Sequence, residues 1–400
     1  MLHSPIVVLG AGMAGSSCAR ELLAAGAEVT LIDAVPEATC ELPPLSKSLF
    51  KETLDTVPLA GAAHGLEYRQ GTVTAADPSA RTVTVDDTTD IEYSQLVIAT
   101  GMTGLPYPGQ LPGGPAFTLH SLADAEAIRS SLAASAYESF TRQPLTGVDI
   151  GIVGSGYLAL ELARGAVEAG HHATVYLRRD RPLSYLSTET ATTLMDLHAR
   201  AGVKFVPDST PDDYALHELW LVAIGAQANT EFLPAALPRE ITGALHVDEC
   251  LRVAPDVYAL GDASRITAGP MAAYGRLESE PMAGSQGRWL GKRLTGTAAE
   301  AWADIPWHWS FQGPVRVFTA GMSAGRTTGT PVVLGEPDAK SFQVALFAGD
   351  ASDSPLVGVE TLGTPQLHNA AKKVLAQPQV PTRDEVEADD FDMRARARGR

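Results

Sequence analysis

Cysteine is scarce in this 400-residue chain, and its three copies stand far apart, at Cys18, Cys40 and Cys250. No C-x-x-C or C-x-x-x-x-C brings two together. That argues against a metal site and a redox-active disulfide, and it points to a reducing compartment. Basic residues are short as well: 30 Lys and Arg against 47 Asp and Glu leave a formal charge of −17. Nonspecific contact with nucleic acid or an anionic membrane needs the opposite sign, so neither is expected as a partner. No apolar run is long enough to span a bilayer. Met1 to Pro5 carry no basic n-region or cleavage site, so no signal peptide is expected and the default location is cytoplasmic. What is there, 45% hydrophobic and 19% charged with 37 glycines, has the composition of a soluble α/β protein of two or three domains.

The most informative stretch is IVVLGAGMAGSSCARELLAAGAEVTLIDA, Ile6 to Ala34. Ile6 to Leu9 read as a buried parallel strand. Gly10, Gly12 and Gly15 follow at G-x-G-x-x-G spacing, with Met13 and Ala14 opening an amphipathic helix, and a second strand ends in Asp33. Gly10 permits the tight turn, Gly12 lets backbone approach a pyrophosphate, and Gly15 lets helix and strand pack closely. The helix N-terminus offers unpaired N–H groups and a positive dipole end to the phosphates. Asp33 stands at the offset of about 20 residues where a carboxylate accepts ribose hydroxyls. Strand, turn, helix, strand and acid together define a dinucleotide site.

Further on, Pro43-Pro44 stiffens the backbone, and a short helix is expected from Ser46, with Ser46 as its cap and Lys47 on a rigid segment. Residues 66–98 read as strands and turns; the last, Leu96 to Ala99, stops at Thr100-Gly101. PYPGQLPGGP (106–115) reads as a linker, and Leu122 to Phe140 as a helix.

VDIGIVGSGYLALELARGAVEAGHHATVYLRRD is a second nucleotide signature. Gly154 and Gly156 follow a strand, Tyr157 and Leu158 open the helix, Ala159 takes the third glycine position, and the helix runs through Glu161. The second strand ends at Leu177, where an acid would be expected, and Arg178, Arg179 and Arg181 follow. Arginines in place of the ribose carboxylate suit a 2′-phosphate, which guanidinium binds through paired, charge-assisted hydrogen bonds. NADPH is therefore expected over NADH. Leu219 to Ile224 read as a buried strand stopping at Gly225, and Val257 to Leu260 as one leading to Gly261-Asp262. Beyond Trp302 come more strands and a helix near Gln366 to Ala376, forming a small α+β domain. Residues 381–400 are charged and read as a mobile tail.

The order of these motifs resembles the FAD- and pyridine-nucleotide-dependent oxidoreductases with two Rossmann-like dinucleotide domains, and within them the oxygenase-coupled ferredoxin reductases. VVLGAGMAG, ELPPLSKSL, LVIATG, IGIVGSGYLALELA, LVAIGAQANTEFL, HVDECLRVAPDVYALGDAS, RLESEPMAGSQG and IPWHWSFQGPVRVFTAG carry the resemblance collinearly from about residue 5 to 380. It implies an α/β fold divided as an FAD domain in two parts (1–112 and 241–300), an NAD(P)H domain (113–240), a C-terminal α+β interface domain (301–380) and the tail. It implies FAD, held by the first cradle with Thr100, Gly101, Asp262 and Trp309, and a nicotinamide nucleotide on the second cradle with Gly225. Lys47 matches the lysine beside the flavin in this family and Glu161 its glutamate partner, a pair suited to the negative charge that develops on reduction. The partner implied is a ferredoxin-type iron–sulfur protein. Arg288, Lys292, Arg293 and Arg316 are expected to form its basic docking patch. Monomer and dimer are both open.

Three positions depart from the family pattern: Leu42 stands for an arginine before Pro-Pro, Glu280 for a tryptophan, and Phe311 for the acid of W-S-acid-Q. They leave two further readings beside the reductase. One is a flavoenzyme acting directly on a small organic substrate, with Glu280 as its acid/base. The other is a protein whose redox state controls an interaction, as in the apoptosis-inducing-factor branch of the fold.

Overall fold

A strand written IVVL has no polar face to offer water and must be covered on both sides. In the computed structural model of this protein, which describes residues 5–35, 40–59, 66–138, 147–298, 301–337 and 341–399, Ile6–Leu9 lies inside a six-stranded sheet with Val7, Val8 and Leu9 fully buried. The strand order is Arg252–Ala254, Val257–Ala259, Gln95–Ile98, Ile6–Leu9, Val29–Asp33, Glu67–Gln70. All neighbours are parallel except the first pair. A three-stranded antiparallel meander, Val73–Asp77, Thr82–Val85 and Thr89–Glu92, is inserted before Gln95–Ile98. Helices Met13–Ala24 and Glu280–Leu294 pack closely on each other because glycines face the contact. A Cβ at Gly287 would lie 2.2 Å from the Ala14 carbonyl oxygen, and one at Gly291 2.8 Å from that of Cys18. These elements form one compact unit, Met1–Glu41, Thr56–Thr103 and Ala226–Asp304.

The second unit comprises Leu42–Asp55, Gly104–Gly225 and Ile305–Arg400. It holds a five-stranded parallel sheet in the order Lys204–Val206, His172–Tyr176, Asp149–Val153, Leu219–Val222, Ala116–Phe117. No strand stands between Lys204–Val206 and Leu219–Val222 in the chain, so this sheet lacks the meander of the first. Tyr107, Leu111 and Tyr214 pack on Tyr176 and Trp220 there instead. The same unit carries a five-stranded antiparallel sheet, Trp307–Gln312, Val315–Gly321, Leu356–Leu362, Phe342–Phe347, Val332–Leu334, and the helix Pro365–Leu375.

Two expectations need correction. The short helix is Pro43–Ser48, with Leu42 at its N-cap, because a proline at the first helical position loses no hydrogen bond and presets φ. Ser46 is inside that helix and caps nothing. Residues 381–399 are no free tail: Arg383–Glu387 and Met393–Arg396 are helical, and Val386 and Met393 are buried against Phe347 and Val374 of the antiparallel sheet and its helix. Residues 226–240 belong to the first compact unit: Asn229 N–H donates to the Gly101 carbonyl (3.0 Å) and Ala76 N–H to that of Phe232 (3.1 Å). The third helix is Leu122–Glu138; the rest of the expected span lies outside the described residues.

Candidate functional site: two nucleotide cradles and a buried ion pair

In the first unit, Gly10 takes φ +95°, and a Cβ there would lie 2.3 Å from the Ala99 carbonyl oxygen; at Gly15 it would lie 1.9 Å from that of Gly10. Gly12 is different. Its φ of −66° suits any residue, and a Cβ would meet nothing within 4 Å. Protein geometry therefore requires Gly10 and Gly15, while nothing in the described protein requires Gly12, which a ligand pressed on the turn would. We expect Gly12→Ala to fold with an unchanged melting temperature yet bind FAD about tenfold or more weakly, a loss of ~1.4 kcal/mol. Gly15→Ala should lose both fold and flavin. The 450-to-280 nm absorbance ratio after gel filtration, beside a thermal melt, separates the two.

Asp33 closes this cradle. Its carboxylate accepts from the Ala11 N–H (2.6 Å) and the Val35 N–H (3.0 Å), which fixes it at the strand end. Thr100 and Gly101 are tied to Asn229: its side-chain amide donates to the Thr100 carbonyl (3.0 Å), and the Thr100 hydroxyl donates to the Asn229 carbonyl (2.7 Å). Gly261 N–H donates to Gln286 (2.7 Å). Burial first and Glu278 second push the Asp262 carboxyl up to about 7, while Arg276 opposes them. Gly12, Asp33, Gly261 and Asp262 are the groups here that would hold a dinucleotide, and the open face at Gly12 fits one. Glu280 is half-buried in the first turn of Glu280–Leu294, where a carboxylate is favoured by the helix end itself. Arg288 and Lys292 of that helix are exposed.

The second cradle repeats the geometry. Gly154 has φ +147° with the Ala223 carbonyl oxygen 2.3 Å from a built Cβ, and Gly156 again meets nothing within 4 Å. The two strand ends correspond by hydrogen bonding: Gly10 N–H donates to the Ile32 carbonyl (2.8 Å) and Gly154 N–H to that of Tyr176 (3.4 Å). The next residue is Asp33 in one case and Leu177 in the other. Leu177 is fully buried, and Arg178 and Arg179 after it are exposed. Leu158 is half-buried. Tyr157 lies 4.9 Å from His308 and 5.8 Å from Tyr185, ring to ring, and burial raises its hydroxyl well above the usual range. Gly225 takes φ +119°, and its carbonyl accepts from the Leu105 N–H (2.9 Å).

Lys47 and Glu161, 114 residues apart, meet in this unit with Nζ 3.1 Å from Oε2. Lys47 also donates to the Pro43 carbonyl (2.9 Å) and stands 4.7 Å over the Trp309 ring. Glu161 is surrounded by donors: Ser46 (2.5 Å) joins Lys47 at Oε2, and Ser310 (2.5 Å) and the Phe311 N–H (3.2 Å) bind Oε1. A carboxylate with both oxygens so occupied is held in one rotamer. Burial and then Lys47 lower the His308 imidazole to about 4. Leu42 and Phe311 are partly exposed, and the Phe311 ring lies 4.9 Å from Trp309 and 5.1 Å from the Arg316 guanidinium. Ser310 and Gln312 went unread in the sequence although both sit within the WHWSFQ stretch, and Ser46 was read only as a helix cap. A buried hydroxyl leaves no mark in spacing. Among the described residues no cluster could hold a metal ion, and no helix is long and apolar enough to cross a membrane.

Two glycine cradles on parallel sheets and a buried ion pair define a protein that binds two dinucleotides. Residues 4–287 match the family described as pyridine nucleotide-disulphide oxidoreductase, and residues 307–397 the family described as reductase C-terminal. The chain belongs to the pyridine nucleotide-disulphide oxidoreductase family and is an oxidoreductase that uses FAD and a nicotinamide nucleotide. It is 31% identical to rhodocoxin reductase of Rhodococcus erythropolis, over 97% of this chain and 93% of that one. To putidaredoxin reductase CamA of Pseudomonas putida it is 27% identical, over 92% and 91%. The ferredoxin reductase for the CYP199A2 system of Rhodopseudomonas palustris shares the fold with a TM-score of 0.84 at 24% identity, covering 98% of this chain and 99% of that one.

Proposed function

We propose that this chain takes a hydride from NADPH, in preference to NADH, onto FAD and passes the electrons singly to a ferredoxin-type iron–sulfur protein serving a cytochrome P450 or ring-hydroxylating oxygenase. The observation that carries the reading is the pair of cradles, alike in their glycines and opposite in charge at the strand end, Asp33 against Arg178 and Arg179. When bound, FAD supplies the conversion between a two-electron donor and one-electron acceptors. Lys47, held by Glu161, places a cation in one position of the second unit. Cys18 is buried, with its thiol pushed up to about 12 by burial and then Glu21, and no described cysteine has a disulfide partner. That favours an external acceptor over a disulfide relay. The named activities of rhodocoxin reductase, putidaredoxin reductase and the ferredoxin–NAD(+) reductase component of the p-cumate dioxygenase system of Pseudomonas putida support a ferredoxin acceptor. Exposed Arg288 and Lys292 suit its acidic surface. The location is proposed to be cytoplasmic, where thiols are kept reduced.

Anaerobic stopped-flow mixing of the FAD-loaded protein with each nucleotide tests this. Rapid bleaching of the flavin, faster with NADPH, followed by reduction of an added [2Fe–2S] ferredoxin, is expected. A flavin that neither nucleotide reduces would sink the proposal.

A further inference from the structure

Two unfavourable features stand side by side in the second unit, and both act on the loop that follows the second cradle. The first is a carboxyl group in an apolar layer. Glu360, fully buried on the strand Leu356–Leu362, is two residues from Leu362 and so shares its face. There Val317, Phe342 and Leu362 of the antiparallel sheet cluster with Leu183, Leu186 and Leu194. No cation pairs with Glu360 among the described residues. Its oxygens instead accept from Ser187, Oε1 from the N–H (2.9 Å) and Oε2 from the hydroxyl (2.6 Å). Burial pushes the carboxyl up from its ordinary value, against those bonds. The second feature is Leu183, also fully buried, whose φ of +51° puts a bulky side chain in the left-handed region. Such a residue persists only where its surroundings over-determine it, and strain of this kind gathers at functional sites.

Backbone hydrogen bonds lead from these two residues to the glycine turn. Ser187 follows Leu186, whose N–H donates to the Leu183 carbonyl (2.8 Å), and the Leu183 N–H donates to the carbonyl of Ser155 (2.7 Å). Ser155 is the residue between Gly154 and Gly156. Gly325 N–H adds a bond to the Tyr185 carbonyl (2.9 Å). An apolar side chain at position 360 would fill the layer without burying a carboxyl, and Ser187 would still cap the helix Thr188–Arg200 through the Thr190 N–H (3.2 Å). What the carboxyl adds is one fixed place for the Ser187 backbone.

We propose that Glu360 is a positioning residue for the nicotinamide nucleotide: through Ser187, Leu186 and Leu183 it fixes the Ser155 carbonyl, and with it the turn on which the pyrophosphate rests. The inference rests on the reading of the second cradle as the nucleotide site. NADPH and NADH share the pyrophosphate, so Glu360 serves both alike, unlike Arg178 and Arg179.

Calorimetric titration of the FAD-loaded protein with ADP-ribose, which carries the pyrophosphate and no 2′-phosphate, is the test. In Glu360→Ala the dissociation constant should rise about tenfold, as for a turn that is competent one-tenth of the time. KM for NADPH and for NADH should rise by the same factor, with kcat and the 450-to-280 nm absorbance ratio unchanged. Glu360→Gln keeps an oxygen for the Ser187 N–H and should return to within about twofold of wild type. Ser187→Ala keeps the N–H bond and loses the hydroxyl; it should weaken binding about threefold, and it carries the test if Glu360→Ala does not fold. Unchanged affinity in a folded Glu360→Ala or in Ser187→Ala overturns the proposal. So do equal losses in the Ala and Gln variants, or a loss confined to NADPH. Gly156→Ala separates the proposal from the reading beneath, since a Cβ there meets nothing of the protein within 4 Å. If Gly156→Ala weakens ADP-ribose binding while Glu360→Ala does not, the positioning role alone is refuted. If Gly156→Ala leaves binding unchanged, the second cradle is not the nucleotide site and both fall.

Discussion

Glu161→Ala is expected to lower the stability of the protein by about 3–5 kcal/mol, read as a lower urea midpoint. Truncation removes the acceptor of four donors at once: the Lys47 ammonium, the Ser46 and Ser310 hydroxyls, and the Phe311 N–H. Lys47 then keeps only the Pro43 carbonyl among these partners while its side chain is 16% exposed, too little for water to replace the lost charge. A surface pair would cost far less, since water screens and solvates both ions; exposed pairs are worth about 0–1 kcal/mol. The double variant Lys47→Met, Glu161→Leu discriminates. It removes both charges and keeps the volume, so much of the loss should return, because apolar replacement of a buried pair is often neutral. If Glu161→Ala shifts the midpoint no further than Lys51→Ala, which breaks the exposed Lys51–Asp55 pair, the carboxylate does not hold this region together.

The two cradles were legible in the sequence because phosphate chemistry dictates the spacing: a residue that must let a pyrophosphate touch backbone can only be glycine. Gly12 and Gly156 show this, each open where a Cβ would stand. Asp33 stands at the expected strand end, its carboxylate accepting from the Ala11 and Val35 N–H groups. The meeting of Lys47 with Glu161 came from the family resemblance alone, since no local rule joins residues 114 positions apart. The hydrogen bonds among Gln312, His198 and Ser310 could not be read at all, because they depend on which way one amide faces, and that is set by the Tyr157 carbonyl across a helix start. The C-terminal segment was misread by counting charge. Val386, Phe391 and Met393 are few, yet they are spaced to reach one apolar face, and a handful of such contacts suffices when the sheet is already formed. Glu280 stands in the first turn of a fifteen-residue helix, where the helix end itself favours a carboxylate.

Arg178→Ala with Arg179→Ala is expected to raise KM for NADPH about 30- to 100-fold and to leave KM for NADH within about twofold. That corresponds to ~2–3 kcal/mol, one or two charge-assisted hydrogen bonds to phosphate. The residue after the strand separates the two cradles. In the first cradle Asp33 sends its carboxylate back to the Ala11 N–H, beside the glycine turn. At the corresponding place Leu177 points inward and is fully buried, while its carbonyl accepts from the Ser209 N–H (2.8 Å) and hydroxyl (3.0 Å). The strand end therefore offers no acid to ribose hydroxyls, and the two exposed guanidiniums that follow are the charged groups nearest in sequence. Arg181 is the weaker candidate because Asp180 lies 3.6 Å from it. A switch toward NADH should not be sought at Leu177: an aspartate there would bury a carboxylate in an apolar pocket and cost stability first. Arg178→Asp places the acid in solvent, where it can face ribose hydroxyls and repel a 2′-phosphate, and should reverse the preference. Equal losses for both nucleotides in the double alanine variant would mean that the arginines bind the shared pyrophosphate, and the NADPH assignment would fall.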